Sequence, residues 1–281
     1  MDTNHSLQPL VSPIVALAQQ AGEVVMKFYS QKDVATTYKE PDSPLTCADI
    51  ASHDLIVEQL QALTPSVPVL SEESKTVPYQ TRQAWRSFWL VDPLDGTKEF
   101  IKHNGEFTVN IALVKDGRPV VGVVHAPAMN VTYFAAAGVG AFKQNAQKRI
   151  SRISAAAYDP ALLKVVVSRS HPSKELNAFL ERIDCFFECV PMGSSLKMCL
   201  VAEGEAHLYP RLGPTMEWDT AAAHCVVEMA GGTITDLNGD ELRYNKDNLH
   251  NPEFIVCGLA GFQWKACVEV KHADSARRSI A

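Results

Sequence analysis

The chain has 281 residues, 46% of them apolar and 21% charged, enough for one large domain or two lobes around a substantial core. Its 32 acidic and 26 basic residues give a net charge of −6, which argues against a broad nucleic-acid-binding face but not against a small anion held through bound cations. No apolar run reaches the roughly 20 residues that span a bilayer, and the first residues lack the basic-then-apolar order of a secretory leader, so a cytoplasmic location is expected.

The first helix is predicted to begin at Ser12-Pro13, an N-cap residue followed by a proline suited to the first turn. Ile14, Leu17, Ala18, Ala21, Val24, Val25 and Phe28 then recur at helical spacing. The polar run from Lys39 to Pro44 reads as loop, and a second helix is expected from about Cys47 to Leu63. Residues 67–70 form a short predicted strand leading into Ser71-Glu72-Glu73, followed by loop with a single helical turn. Residues 88–91 are a second apolar strand that is expected to stop at Asp92. Phe107, Val109, Ile111 and Leu113 alternate with smaller or polar residues, Asp116-Gly117 marks a turn, and strands follow at 120–125 and 131–136.

After about Lys148 short strands alternate with helices. Strands are predicted at 165–168 and 206–209, and helices near 174–183, 195–203 and 218–230, the last stopped by Gly231-Gly232. Asn238-Gly239 marks a turn, and residues 274–281 read as a frayed tail. The expected organisation is an α+β N-terminal lobe over residues 1–148 and an α/β C-terminal lobe over residues 149–281. Seven cysteines without a Cys-x-x-Cys pair read as reduced thiols, with Cys185, Cys189 and Cys199 in mostly apolar surroundings.

Chemistry concentrates in Asp92-Pro93-Leu94-Asp95-Gly96-Thr97. An apolar strand delivers two carboxylates three residues apart. Pro93 pushes Asp92 toward an extended backbone, and Gly96 permits a tight turn and a close ligand. Two such carboxylates repel unless a cation lies between them, and oxygen-only ligands suit a hard ion such as Mg²⁺.

This hexamer, with Trp218-Asp219-Thr220-Ala221-Ala222 far downstream and Ser71-Glu72-Glu73 after the preceding strand, resembles the paired signature of the inositol monophosphatase-like superfamily. The resemblance covers nearly the whole chain. It implies a layered αβαβα sandwich and lithium-sensitive phosphomonoester hydrolysis with two or three Mg²⁺ ions. It implies metal ligation by Glu72, Asp92, Asp95, Asp219 and the Leu94 carbonyl. Gly96 and Thr97 would meet the phosphate. Ser43-Pro44-Leu45-Thr46-Cys47-Ala48-Asp49 also matches, so Asp49 and Thr97 are expected to orient the attacking water, and Lys39 to approach the same centre.

Lys98-Glu99-Phe100-Ile101 after the threonine, residues 104–110, and Gly193-Ser194-Ser195-Leu196-Lys197 resemble the bacterial 3′(2′),5′-bisphosphate nucleotidase branch. That branch implies a place in sulfur assimilation, with Ser195 and Lys197 holding the nucleotide. Arg211 would bind phosphate, with Arg169 or His171 as further substrate contacts. His125 and His224 are read as structural, and Asn238-Gly239-Asp240 as a turn. The expected reaction is hydrolysis of adenosine 3′,5′-bisphosphate to AMP and phosphate. The rivals are an inositol or sugar phosphatase of the same fold and a non-catalytic nucleotide sensor. Oligomeric state is left open, as is peripheral association with the cytoplasmic face of an inner membrane.

Overall fold

The computed structural model describes residues 7–31, 44–75, 77–158, 161–170, 173–259 and 262–268. Lys39, Ser43, His171 and the tail from 274 to 281 lie outside the described residues. Helix α1 (Gln8–Tyr29) buries the expected stripe of Ile14, Leu17, Ala18, Ala21 and Val25. It begins earlier than Ser12-Pro13 predicts. Pro9 occupies the first turn, where a missing N–H costs nothing, and Pro13 is carried inside the helix. Helix α2 (Pro44–Leu63) likewise opens on a proline, three residues before the expected start.

The first sheet has seven strands in chain order: β1 (Val69–Ser71), β2 (Ser87–Asp95), β3 (Thr108–Lys115), β4 (Arg118–Ala126), β5 (Val131–Ala136), β6 (Gly140–Gln144) and β7 (Ile150–Arg152). Strands β1 and β2 are parallel, and every other neighbouring pair is antiparallel. The single helical turn α3 (Tyr79–Arg82) lies between β1 and β2 in the chain, and the short α4 (Thr97–Ile101) between β2 and β3.

The second sheet has the order β11 (Thr233–Asp236), β12 (Phe254–Cys257), β10 (Leu208–Arg211), β8 (Leu163–Ser168), β9 (Phe187–Met192). Strands β8, β9 and β10 are parallel, while β12 runs against both its neighbours. Strand β9 was not anticipated, because it is an edge strand whose polar and apolar residues lie mostly half-buried or exposed. Cys189 lies on it and is exposed, contrary to the expected apolar surroundings, while Cys199 is buried. All seven cysteines are free thiols.

Strand periodicity sorts the core into layers. In β2, Trp89 and Val91 face α1 and α2, whereas Phe88 and Leu90 face the space between the sheets. That space holds α6 (Leu196–Ala202) and α7 (Glu217–Met229), packed on Val166, Tyr209, Phe254 and Val256 from the far sheet. Beyond the second sheet, α5 (Lys174–Leu180) and α8 (Lys265–Val268) cover Leu163, Val165, Leu208 and Ile255. The result is the expected αβαβα layering. No helix of the described residues is long and apolar enough to cross a membrane.

Candidate active site

The carboxylates converge because of strand register. Parallel pairing of Ser71 with Val91 brings Glu72 beside Asp92 at the same end of β1 and β2. The Glu72 amide donates to the Val91 carbonyl at 3.1 Å. Strand β2 does not stop at Asp92 as expected but runs on to Asp95. Asp92 pairs with Asn110 and Asp95 with Thr108, so three steps on β2 match two on β3, the mark of a β-bulge. The extra residue changes which face is which. In a regular strand, residues three apart point to opposite faces. Here Leu94 is buried on the α1/α2 side, while Asp92 and Asp95 lie opposite partners that share the face toward α6.

Helix α2 is tied to this turn. Ser52 donates Oγ to the Pro93 carbonyl at 2.9 Å, and His53 Nδ1 lies 2.8 Å from Ser71 Oγ. One turn earlier on the same helix, Asp49 is buried near Asp92. Asp219, in the first turn of α7, accepts the Met216 amide at 2.9 Å. Asp92 is 1% exposed, and its carboxyl is pushed well above the ordinary range by burial first, then by the charges of Glu72, Asp95, Asp219 and Asp49. Burial and the Asp95 and Glu72 charges raise Asp219 to about 7, against the lowering pull of the Met216 amide and Arg211. Burial also raises Asp95, opposed by Lys197 and the Ser195 amide. A crowd of buried and half-buried oxygen donors whose ionisation is resisted by its own members fits a hard divalent cation.

Beside these carboxylates lies a cavity of about 260 Å³. Asp95, Gly96, Thr97, Lys197, Arg211 and Asp219 all line it. Gly96 has φ +92°, and a Cβ there would come within 3.1 Å of the Glu106 carbonyl oxygen, so the turn into α4 requires glycine. Lys197 is buried, donates Nζ to the Ser194 carbonyl at 2.6 Å and sits 5.7 Å from the Tyr209 ring centre. Burial lowers its ammonium to about 8, against the raising effect of Asp95. Arg211 donates one Nη to the Pro214 carbonyl at 2.8 Å, and its buried Nε has no hydrogen-bond partner. A polyanion entering the cavity meets the two cations Lys197 and Arg211 as well as the carboxylates Asp95 and Asp219.

Ser195 lines the cavity, yet its polar groups are engaged inward. Its amide donates to Asp95 Oδ2 at 2.6 Å, and its hydroxyl donates to Asn110 Oδ1 at 2.8 Å. It makes no side-chain cap on α6. The Ser195 hydroxyl in turn lies 2.8 Å from Thr108 Oγ1.

Arg169, which the sequence offers with His171 as a substrate contact, does not line this cavity. Its guanidinium donates to both oxygens of Glu106, each at 2.7 Å, and to the Pro191 carbonyl at 2.9 Å. The same Glu106 carboxylate accepts the Gly193 amide at 2.7 Å. A Cβ on Gly193 would fall 2.5 Å from Glu99 Cγ, so only glycine lets the β9–α6 turn approach this closely. Glu106 thus fastens the turn that carries Ser195 and Lys197 to the first sheet. Glu106, Thr108 and Asn110 were not assigned roles from sequence, although their alternation with Phe107 and Val109 marks one polar strand face. His125 occupies a structural position: it is buried, lies 2.9 Å from Thr132 Oγ1, and is lowered by burial to about 4.

Residues 6–266 match the model of the inositol monophosphatase family. The 3′(2′),5′-bisphosphate nucleotidase CysQ of Salmonella typhimurium is 48% identical over 249 residues, covering 88% of this chain and 99% of that protein. The corresponding protein of Haemophilus influenzae is 38% identical, covering 92% and 96%. Among solved structures, CysQ from Bacteroides thetaiotaomicron, described as a bacterial member of the family, superposes with TM-score 0.84 at 40% identity over 92% of this chain and 100% of its own. An inositol monophosphatase from Zymomonas mobilis shares the fold at TM-score 0.73 and 24% identity, over 91% of this chain and 95% of its own.

Proposed function

This chain belongs to the inositol monophosphatase family, and we propose that within it the protein is a metal-dependent 3′(2′),5′-bisphosphate nucleotidase, hydrolysing adenosine 3′,5′-bisphosphate to AMP and phosphate. The observation that carries the nucleotide reading is that the cations Lys197 and Arg211 line one cavity together with the carboxylates Asp95 and Asp219. A substrate with a single phosphate needs only the metal held by the carboxylates. A bisphosphate uses the cations as well.

In this reading Glu72, Asp92, Asp95, Asp219 and the Leu94 carbonyl hold two or three Mg²⁺ ions. The N-terminal lobe, residues 1–148, supplies most of these ligands, and the C-terminal lobe, residues 149–281, supplies Asp219 and the nucleotide contacts. Bound Mg²⁺ neutralises the transferring phosphoryl group and lowers the pKa of water. The chain's own residues supply the rest. Gly96 and Thr97 orient the scissile phosphate at the turn into α4. Thr97 and Asp49 orient the attacking water in line with the leaving 3′-oxygen. Lys197 and Arg211 hold the 5′-phosphate that does not react, and Ser195 and Glu106 keep Asp95 and the Lys197 turn in position.

The test is phosphate release with Mg²⁺ over a panel of bisphosphate nucleotides, inositol phosphates and sugar phosphates. The expected result is highest kcat/KM for adenosine 3′,5′-bisphosphate. A preference for inositol or sugar phosphates would overturn the substrate, and tight nucleotide binding without phosphate release would overturn the enzyme.

A further inference from the structure

The second half of α7 carries a group of ligands that phosphate hydrolysis does not use. His224 and Glu228 stand one turn apart on this helix, and Glu241 comes from the segment that bridges back to Thr235. One ligand atom of each lies within 4.8 Å of the other two. The His224 side chain is 0% exposed, whereas Glu228 and Glu241 are 26% and 25% exposed, which leaves a way in from solvent.

Hydrogen bonds behind these atoms fix where they point. Thr220 donates its hydroxyl to the Glu217 carbonyl at 3.2 Å. Its oxygen therefore accepts from the Tyr244 hydroxyl, 3.3 Å away. The Tyr244 oxygen is then left to accept from His224 Nδ1, at 2.8 Å. So Nδ1 carries the ring hydrogen, and the Nε2 lone pair faces the carboxylates. Nε2 is sealed from water and makes no hydrogen bond. Glu241 is divided in the same way. Its Oε2 is held by Arg118, with Arg243 at 3.8 Å, and its buried Oε1 has no partner.

Electron-rich atoms are thus turned toward one another. Either a proton on Nε2, which would hold the Glu228 carboxyl below the ordinary range, or a cation among the three groups relieves that repulsion. Nε2 is 3.3 Å from Glu228 Oε1 and off the angle of a hydrogen bond. A charge-assisted hydrogen bond is shorter, about 2.7–2.9 Å. Two ligands about 2.0–2.1 Å from a tetrahedral zinc ion lie about 3.3 Å apart.

We propose that His224, Glu228 and Glu241 form a second divalent-metal site that takes a borderline ion such as Zn²⁺, with water as the fourth ligand. One imidazole and two carboxylates suit zinc, whereas Mg²⁺ prefers oxygen alone. Tyr244 and Arg118 are the outer hydrogen bonds that orient such ligands. The ion ties the C-terminal half of α7 to the segment around Glu241, and so steadies the helix whose other end presents Asp219.

The test is zinc retention by the full chain. Metal-free protein receives Zn²⁺ in about 10 mM Mg²⁺, which keeps the oxygen-only centre filled. It is then desalted, and bound zinc is counted by mass spectrometry alongside Tm. The expected result is about one equivalent of zinc, a raised Tm and a zinc-edge X-ray absorption spectrum with one imidazole among oxygens. Glu228→Gln and Glu241→Gln should each lose the ion at least tenfold more readily while keeping Mg²⁺-dependent turnover. These partly exposed positions keep the test valid even where His224→Asn fails to fold. Wild type that retains no zinc, or variants at 228 and 241 that retain as much as wild type, would overturn the site.

Discussion

Asp92 and Glu217 are both sealed from water, in opposite surroundings. Glu217, at the start of α7, accepts the amides of Asn245 and Lys246 at 2.6 and 3.0 Å and the Lys246 ammonium at 2.7 Å. Its charge is answered from within the fold. Asp92 accepts the Leu94 amide at 3.1 Å, and the charges that act on it are other carboxylates. A buried ion without a counter-charge costs several kcal/mol and tends to take up a proton instead. The contrast separates a carboxylate that holds the fold together from one that, in the proposed function, is kept ready for a cation.

The largest test of this contrast is a pair of isosteric substitutions. Asp92→Asn should lower turnover of adenosine 3′,5′-bisphosphate at least ~10³-fold, about 4 kcal/mol of transition-state stabilisation. It should leave the Tm of metal-free protein unchanged or higher, because a repelled charge is gone. Glu217→Gln should do the reverse, destabilising the fold by about 3 kcal/mol while the folded fraction keeps its turnover. Equal losses of Tm in both variants would erase the distinction.

A smaller effect is expected at the cations of the cavity. Lys197→Met keeps the apolar stem against Tyr209 and removes the charge. KM for the bisphosphate should rise about tenfold, the loss of roughly 1.4 kcal/mol, with KM for a simple monophosphate little changed. Equal rises for both substrates would remove the nucleotide contact.

The smallest effect is a pH dependence. Asp219 has a folded pKa of about 7, above its unfolded value of 3.8, so the folded protein binds more protons than the unfolded chain between these values. Stability contributed by the protonated carboxyl is present at low pH and is lost as pH rises through about 7. Mg²⁺ competes with that proton. The Tm increment produced by saturating Mg²⁺ should therefore grow by a few degrees from about pH 5 to about pH 8. An increment independent of pH would show that the carboxylates are not held protonated in the metal-free protein.

What was legible in the sequence follows the range of the forces involved. The strands around Trp89 and Ile111 and the stripe of α1 are local alternations of apolar residues, and each was placed to within a few residues. The start of α1 was misread because two prolines compete for the first turn and the earlier one wins. The converging carboxylates were legible only as a joint pattern of separated segments, since neither Glu72 nor Asp219 announces a ligand by itself. The Glu106–Arg169 clamp was not legible. Its partners are 63 residues apart, and an arginine after a strand looks the same whether it meets substrate or glutamate. The polar face of Glu106, Thr108 and Asn110 was visible as alternation, but its direction depended on which helix packs above it.

The bulge in β2 sets different rules for different kinds of genetic change. Substitution at Leu94 should be tolerated wherever an apolar side chain still fills the space beneath α1 and α2, because in the proposed metal centre only its main-chain carbonyl serves. Removing one residue between Asp92 and Asp95 is another matter. It would restore regular pleating, turn one carboxylate toward the wrong layer, and leave the hydrophobic pattern upstream intact. Such a chain would fold with its core unchanged and its ligand set divided across the sheet. Apolar variation at Leu94 is therefore expected among relatives, while the two aspartates and the length of this strand end stay constant.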